Sequence, residues 1–368
     1  MNEYQLKECN IHKMDCQSVE EKWILETHDK KFVINIDVKN FILKYNNSYI
    51  NEAELKDETE KQIFILLKNA GCFSNDSVTL QNKDYARLIF KKKLFTQRSL
   101  KHLKVFKCLF SKLAFVLVTP LIVVNIIYSC FIHNINNSDQ NLFLTLILLT
   151  LSGVFHEIGH ISASIKFGIV PKWAGIGIYF TSIIFFVDVD DTWKLPQKQR
   201  LVVDMGGIYF QLMIASLYFV VYLVFNQAIF LYVSSLIAIA SLFNLNPFLK
   251  YDGYWILSDI LGVYNLNQYL AISVKTLLCN VFTKRKINNF NYKKSKVYAI
   301  GIYAIVSELF YIYFAYVLIK CSTHGLWMIF YKFSWYNLFI NIIFLFFALC
   351  SLRALYLMLK NIFLVKVN

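Results

Sequence analysis

Long apolar runs alternate with short polar segments through the last two thirds of the chain. A bilayer crossing needs about 20 consecutive, mostly apolar residues, and the pattern predicts about six crossings. The predicted crossings are 113–132, 142–165, two within 205–249, 297–319 and 333–352. The uncharged run 205–249 divides at Asn226 and Gln227, because 45 residues are too many for one crossing.

The first hundred residues follow a different pattern. KWILETHDKKFVINIDV (22–38) is typical of two short strands joined by a polar turn. NEAELKDETEKQIFILLKNAG (51–71) has apolar residues at helical spacing after an acidic start, which predicts a helix. We therefore expect a small α+β module of winged-helix type over residues 1–104, followed by a membrane core at 105–260 and a C-terminal part at 261–368.

A short β segment interrupts the predicted helices of the membrane core. AGIGIYFTSIIFFVDVDD (174–191) is rich in β-branched and aromatic residues, which predicts strands at or slightly within the membrane. Residues 259–283 are only moderately apolar, so we expect them to lie at the interface rather than to form a seventh crossing. The predicted fold class is an all-α polytopic membrane protein with about six transmembrane helices, a short membrane-associated β segment and an N-terminal cytoplasmic α+β module.

Composition and charge agree with a membrane protein. Of the 368 residues 57% are hydrophobic and 17% are charged, whereas soluble domains have about 25% charged residues. The net charge of +14 would suit nucleic acid, but eight Lys or Arg and no Asp or Glu lie between Lys91 and Lys112, directly before the first apolar run. Such a cluster marks the cytoplasmic side of a membrane and suits anionic lipid. We therefore expect a multi-pass protein of the cell membrane, with both termini cytoplasmic and the lipid bilayer, not nucleic acid, as partner.

The stretch GVFHEIGHISA (153–163) places ionisable groups inside a predicted crossing. On a helix His156 and His160 lie on one face, so both imidazoles can bind one metal ion. Glu157 is then placed to take a proton from a water molecule at the metal. Zinc favours such a site because three protein ligands leave a fourth position open for water, and HExxH on a helix is the pattern of zinc peptidases.

Two histidines alone leave another interpretation open. Histidines within a membrane also hydrogen-bond between helices or relay protons in a transporter, and Glu157 would then be a proton carrier. The choice between a metal site and a proton relay depends on a third ligand.

A candidate third ligand lies in FNLNPFLKYDGYWILSD (243–259). Pro247 lacks a backbone donor and breaks a helix, and Gly253 permits a tight bend. Broken backbone at membrane depth is tolerated only where it is buried in protein or lines a wet cavity. Such a break would turn Asp252 toward the histidines. Alone, the stretch would equally suit a cytoplasmic turn, but together with HEIGH it favours a metal site.

The two stretches together resemble the site-2 protease family of intramembrane zinc metalloproteases. HExxH lies in one crossing, and N-x-x-P-x-x-x-x-D-G ends a later one, with Asn244, Pro247, Asp252 and Gly253 at the fixed positions. The resemblance covers about residues 140–260. NLNPFLKYDGYWILSD is most similar to the branch of peptide zinc metalloproteases, which are often found with ribosomally made, modified peptides.

This resemblance implies a site and an activity. His156, His160 and Asp252 would bind one Zn²⁺ per chain, Glu157 would be the general base, and Asn244 would help to hold the substrate backbone or the oxyanion. The N-terminal module is similar to winged-helix elements that bind leader peptides.

The expected function is an intramembrane zinc endopeptidase that cuts a membrane-associated peptide or a transmembrane segment. Maturation of a ribosomally made, modified or secreted peptide is the first expectation, and regulated cleavage of a membrane-bound signalling or transcription factor is the second. A transporter or immunity protein that keeps the scaffold without hydrolysis is the contrasting class. Glu308, in a later crossing, is either a functional carboxylate within the membrane or a residue that pairs with a neighbouring polar group, and the sequence favours the pairing.

Overall fold

A computed structural model describes most of the chain. The described residues are 3–15, 21–27, 31–46, 48–51, 55, 57–73, 90–129, 141–179, 182–263, 266, 269–270, 273–276, 294–331 and 335–364. They form two compact units. The first consists of Met1–Cys16 and Glu20–Gly262, and the second includes Val263–Asn368.

The N-terminal module combines short strands with two helices. Its elements are β1 (Glu3–Gln5), β2 (Cys9–Lys13), β3 (Trp23–Thr27), β4 (Lys31–Ile34), α1 (Ile36–Lys44), β5 (Tyr49–Asn51) and α2 (Glu58–Asn69). Strands β2, β3 and β4 form an antiparallel sheet, and β1 pairs with β5. Phe41, Ile42, Phe64 and Phe73 lie in its apolar core. The two predicted strands and the predicted helix are confirmed, whereas the winged-helix form stays a prediction.

One boundary in this module differs from the sequence-based expectation. The predicted second strand extends to Val38, but β4 ends at Ile34 and α1 begins at Ile36. The reason is a helix cap, because the Asn35 side chain accepts a hydrogen bond from the backbone N–H of Val38 at 3.0 Å.

A second three-stranded antiparallel sheet joins residues 90–96 to the β segment of the predicted membrane core. It consists of β6 (Phe90–Thr96), β7 (Trp173–Tyr179) and β8 (Ser182–Val187) in the order β6-β7-β8. The predicted strands of the short β segment are therefore present. Sequence placed residues 90–96 in the N-terminal module, whereas the structure pairs them with β7.

The remaining elements of the first unit are helical. They are α3 (Gln97–Leu100), a 3₁₀ helix (Lys101–Phe110), α4 (Lys112–Ile127), α5 (Leu142–Lys166), a short 3₁₀ helix (Asp190–Lys194), α6 (Gln197–Phe225), α7 (Ala228–Asn244) and α8 (Asp252–Leu261). The second unit contains α9 (Lys294–Tyr331) and α10 (Trp335–Leu364). Most of the predicted interfacial segment 259–283 lies outside the described residues.

Three helices among the described residues are long and apolar enough to cross a membrane. They are Leu142–Lys166, Gln197–Phe225 and Ser295–His324. A fourth crossing is present if Gln97–Phe110 and Lys112–Ile127, which bend by 77° at their junction, form one broken span. Helix α7 and the stretch Asn341–Leu357 of α10 are shorter apolar helices, so the count of six crossings stays a prediction.

Helices α5 and α6 pack closely because both present glycine at the contact. A Cβ added to Gly159 would overlap the backbone carbonyl of Gly206, and one added to Gly206 would lie 2.8 Å from the carbonyl oxygen of Gly159. Only glycine allows the two backbones to approach this closely. The contact places one face of α6 directly against the HEIGH turn of α5.

The two predicted breaks lie where sequence places them. Asn226 has a left-handed conformation (φ 55°) between α6 and α7. Helix α7 ends at Asn244, and α8 begins at Asp252 after an irregular segment that contains Pro247. A Cβ on Gly253 would overlap the carbonyl of Leu245, so a glycine lets α8 start against the end of α7.

Candidate metal centre

Three potential metal ligands converge between α5 and the start of α8. The donor atoms of His156, His160 and Asp252 all lie within 4.8 Å of one another. The two Nε2 atoms of the histidines are 3.1 Å apart. The Asp252 carboxylate is 3.1 Å from Nε2 of His156 and 3.6 Å from Nε2 of His160. The His and Asp side chains that sequence singled out are thus brought together from 92 residues apart.

These spacings fit a single tetrahedral ion. Protein ligands lie about 2.0–2.2 Å from zinc, so two ligands of a tetrahedral site are about 3.3 Å from each other. The Nε2–Nε2 distance of 3.1 Å, the 3.1 Å from Nε2 of His156 to Oδ2 of Asp252 and the 3.6 Å from Nε2 of His160 to Oδ1 of Asp252 are all close to that value, although the two carboxylate distances involve different oxygens. Two imidazoles and one carboxylate are also a ligand set that zinc uses in catalytic sites.

The other ring nitrogen of each histidine is held by α6. Nδ1 of His160 lies 2.8 Å from the backbone carbonyl of Val203, and Nδ1 of His156 lies 3.2 Å from Oε1 of Gln211. Because both partners are acceptors, each Nδ1 carries the proton and each Nε2 presents a lone pair. The Nε2 lone pairs of both histidines and the Asp252 carboxylate then face one another without a hydrogen bond between them. A bound cation would stabilise this arrangement by removing the repulsion between the lone pairs.

One face of α6 provides all of this support. Val203, Gly207 and Gln211 recur every four residues, so they lie on the same side of the helix. Gly207 sits directly under the ligands, because an added Cβ would lie 2.7 Å from Nε2 of His156 and closer still to Nε2 of His160. This glycine lies outside both motifs of the sequence analysis.

Glu157 and Asn244 each lie close in sequence to one ligand of this cluster, Glu157 beside His156 and Asn244 eight residues before Asp252. The Glu157 carboxylate faces the backbone N–H of Val187, the last residue of β8. Nδ2 of Asn244 donates to Oε1 of Gln211 at 3.4 Å, and the same oxygen faces His156. Asn244 is thus linked to a histidine ligand through Gln211, which sequence reasoning missed.

Helix α8 is fixed at its far end by a buried ion pair. Nε of Arg200 on α6 donates to Oδ1 of Asp259 at 2.8 Å, and the two side chains are 2% and 3% exposed. Gln197 also donates to the backbone carbonyl of Asp259. Neither residue of the pair was predicted, because 59 residues separate them and no local motif marks them.

A charged cluster joins the N-terminal module to the ends of the β7–β8 hairpin. Glu26 of β3 pairs with Lys172 before β7 at 3.3 Å and with Lys194 after β8 at 2.6 Å. Asp191 pairs with Lys31 at 2.8 Å and with Lys194 at 2.9 Å.

The lysines of this cluster keep both carboxylates ionised. Burial alone raises the pKa of Asp191, but hydrogen bonds from Lys31 and Lys194 outweigh it and lower the pKa to about 2. Burial likewise opposes ionisation of Glu26, and hydrogen bonds from Lys194 and Lys172 still lower its pKa below the usual value.

Sequence comparison gives a limited match. Over 141 residues the chain is 24% identical to a Bacillus subtilis protein named "Putative peptide zinc metalloprotease protein YydH", and the match covers 36% of this chain and 56% of that protein. The chain thus spans about half the length of the curated relative it matches. No family model and no solved structure matches the chain. The similarity suggests a zinc metalloprotease.

Proposed function

We propose that the protein is an intramembrane zinc endopeptidase. The observation that supports this most directly is the convergence of His156, His160 and Asp252 beside Glu157. This ligand set favours a hydrolytic metal site over a proton relay, since a relay needs no third donor at metal spacing. The similarity to a protein named as a peptide zinc metalloprotease supports the same class.

Each residue has a defined part in the proposed reaction. His156, His160 and Asp252 would hold zinc, which when bound would polarise the scissile carbonyl and activate water. Glu157 would accept a proton from the attacking water and return it to the leaving amine. Asn244 would donate a hydrogen bond to the oxyanion or the substrate backbone.

Strand β8 is suited to hold the substrate. It pairs with β7 on one side, and the described residues place no strand on its other side. A peptide bound along this edge would be extended, as hydrolysis of a helical segment requires. Because Val187 ends β8 beside Glu157, such a peptide would lead toward the metal ligands.

The first candidate substrate is a ribosomally made peptide that is modified or secreted. A membrane-bound signalling or transcription factor is the second candidate. In both cases the site would be reached from the cytoplasmic face, and the N-terminal module would recruit the substrate or its leader.

The deciding experiment changes only the proposed base. In Glu157→Gln we expect processing of a co-expressed precursor peptide to stop, while the purified protein still binds about one zinc per chain, because the amide cannot accept a proton and the three ligands remain. Peptide mass and metal content are the measurements.

Ligand variants complete the test. Asp252→Ala should lose zinc as well as activity, since two histidines hold zinc weakly. Continued cleavage by Glu157→Gln would remove its role as base. Zinc binding without any cleavage by the unaltered protein, across candidate precursors from the neighbouring genes, would favour a non-hydrolytic transporter or immunity protein.

A further inference from the structure

We propose that Arg200 is a positioning residue of the metal centre. Its ion pair with Asp259 holds α8, and with it Asp252, in register with the two histidines. This inference rests on the proposed function, because it concerns the same metal ligands.

The surroundings of Arg200 show how firmly it is fixed. Nε donates to Asp259 at 2.8 Å, and Nη1 donates to the backbone carbonyls of Leu195 at 3.0 Å and Asp15 at 3.1 Å. The guanidinium carbon lies 4.5 Å from the ring centre of Trp193. Contacts from three parts of the chain, at residues 15, 193–195 and 259, therefore hold this buried side chain through Nε, Nη1 and the face of the guanidinium, while Nη2 has no hydrogen-bond partner among the described residues.

Asp259 connects Arg200 to Asp252, the third ligand, because both aspartates lie on α8. It lies seven residues after Asp252 on α8, so the two carboxylates share one face of the helix and are about 10 Å apart along its axis. A helix of ten residues with one carboxylate held by Arg200 has little freedom to rotate. Rotation or sliding of α8 would move Asp252 away from the histidines.

Arg200 is also close in sequence to the support of a histidine ligand. Val203, whose carbonyl accepts the hydrogen bond from Nδ1 of His160, follows Arg200 by one turn of α6. The same turn thus orients His160 and anchors α8. The first turns of α6 therefore contact both helices that carry ligands, α5 through Val203 and α8 through Arg200.

The energetics of the buried Arg200–Asp259 pair indicate that it positions α8 rather than adding stability. A buried ion pair adds little net stability compared with apolar residues of the same size, because both charges lose their hydration. Loss of one partner is much more harmful, since the other charge stays buried and unpaired. The Arg200–Asp259 pair is only 2–3% exposed and lies on the helix that carries Asp252. Its role is thus best explained by the position in which it holds α8.

Asp15 extends the arrangement to the N-terminal module. Its carboxylate accepts a hydrogen bond from the backbone N–H of Gln197 at 2.8 Å, at the first residue of α6, while its carbonyl accepts from Arg200. A carboxylate at a helix N-terminus is favourable. The module therefore helps to fix the end of α6 that carries Arg200.

The test compares zinc binding in matched variants of the full-length protein in detergent. The probe is zinc alone, in competition with a chromogenic chelator, and the visible absorption of the Co²⁺ form reports ligand geometry. Arg200→Met should raise the zinc dissociation constant about 10- to 100-fold, as loss of a residue that orients ligands does, and should alter the Co²⁺ spectrum. Arg200→Lys keeps the charge and should restore most of the affinity.

The control is Ser234→Ala, which removes other buried hydrogen bonds, to Asn125 at 2.9 Å and to the carbonyl of Ala215 at 2.8 Å. It should lower the thermal midpoint and leave zinc affinity unchanged. An Arg200→Met protein that melts early but binds zinc and Co²⁺ as the unaltered protein does would overturn the positioning role. Failure of the unaltered protein to bind zinc would instead overturn the proposed function.

Discussion

The proposed metal site depends on Gly207, a residue that has no side chain. Gly207 lies under both histidines, and a Cβ there would overlap the nitrogen atoms that face Asp252. At this position the absence of an atom is as important as the presence of the ligands.

Gly207→Ala should therefore weaken zinc binding at least tenfold, because the methyl group displaces the imidazoles from their shared position. Gly153→Ala is the matched control on α5, since its Cβ would make an ordinary contact 3.6 Å from Phe185. Equilibrium dialysis against zinc measures both. Equal affinities for the two variants would contradict the close approach of α6 to the ligands.

The sequence indicates the candidate metal ligands more readily than it indicates the groups that hold those ligands in place. His156, Glu157 and His160 form a local pattern whose chemistry is visible in eleven letters. The partner of His160 is the backbone carbonyl of Val203, and no side-chain pattern can reveal it, because every residue has a carbonyl. The long-range pairs that fix α8 are equally hidden.

At the scale of helices and strands, the sequence predicts an element boundary correctly where a single residue determines the backbone conformation. The break at Asn226 and the one around Pro247 were predicted, since left-handed backbone and proline act locally. Strand β6 was missed because FKKKLFT has no alternation of apolar and polar residues. Only its pairing with β7, about 80 residues later, makes it a strand.

The charged cluster between the N-terminal module and the β7–β8 hairpin leads to a prediction at this scale. Glu26→Gln should speed hydrogen exchange in the 3₁₀ helix Asp190–Lys194 by about fivefold, because a salt bridge of this kind contributes about 1 kcal/mol. Glu21→Gln is the control, since Glu21 pairs with Lys13 inside the module. Identical exchange in both variants would mean that the cluster does not hold the module.

Acid should release this contact only at low pH. Both carboxylates have lowered pKa values. The contribution of Asp191 is complete above its ordinary pKa of 3.8 and is lost as the pH falls toward about 2. The contribution of Glu26 is complete above its ordinary pKa of 4.5 and is lost as the pH falls through its lowered pKa. The protection factor of the same peptide, which is its exchange rate corrected for the intrinsic pH dependence of amide exchange, should accordingly stay constant from neutrality to about pH 5.

For the whole molecule, topology is the main prediction. The six crossings predicted from the sequence, with the basic segment 91–112 inside, would place both termini in the cytoplasm. Reporter fusions at the two ends should both be active as fluorescent proteins, and alkaline phosphatase inserted near residue 136 should be active outside the cell. Opposite locations of the two termini would require an odd number of crossings.

The wide separation of the ligands in sequence has a consequence for biosynthesis. Ribosomes add about 5–20 residues per second, so Asp252 is made about 5–20 s after His160. During that interval the nascent chain contains both histidines of the proposed metal site but not the aspartate. The proposed site would therefore stay incomplete until Asp252 has been synthesised.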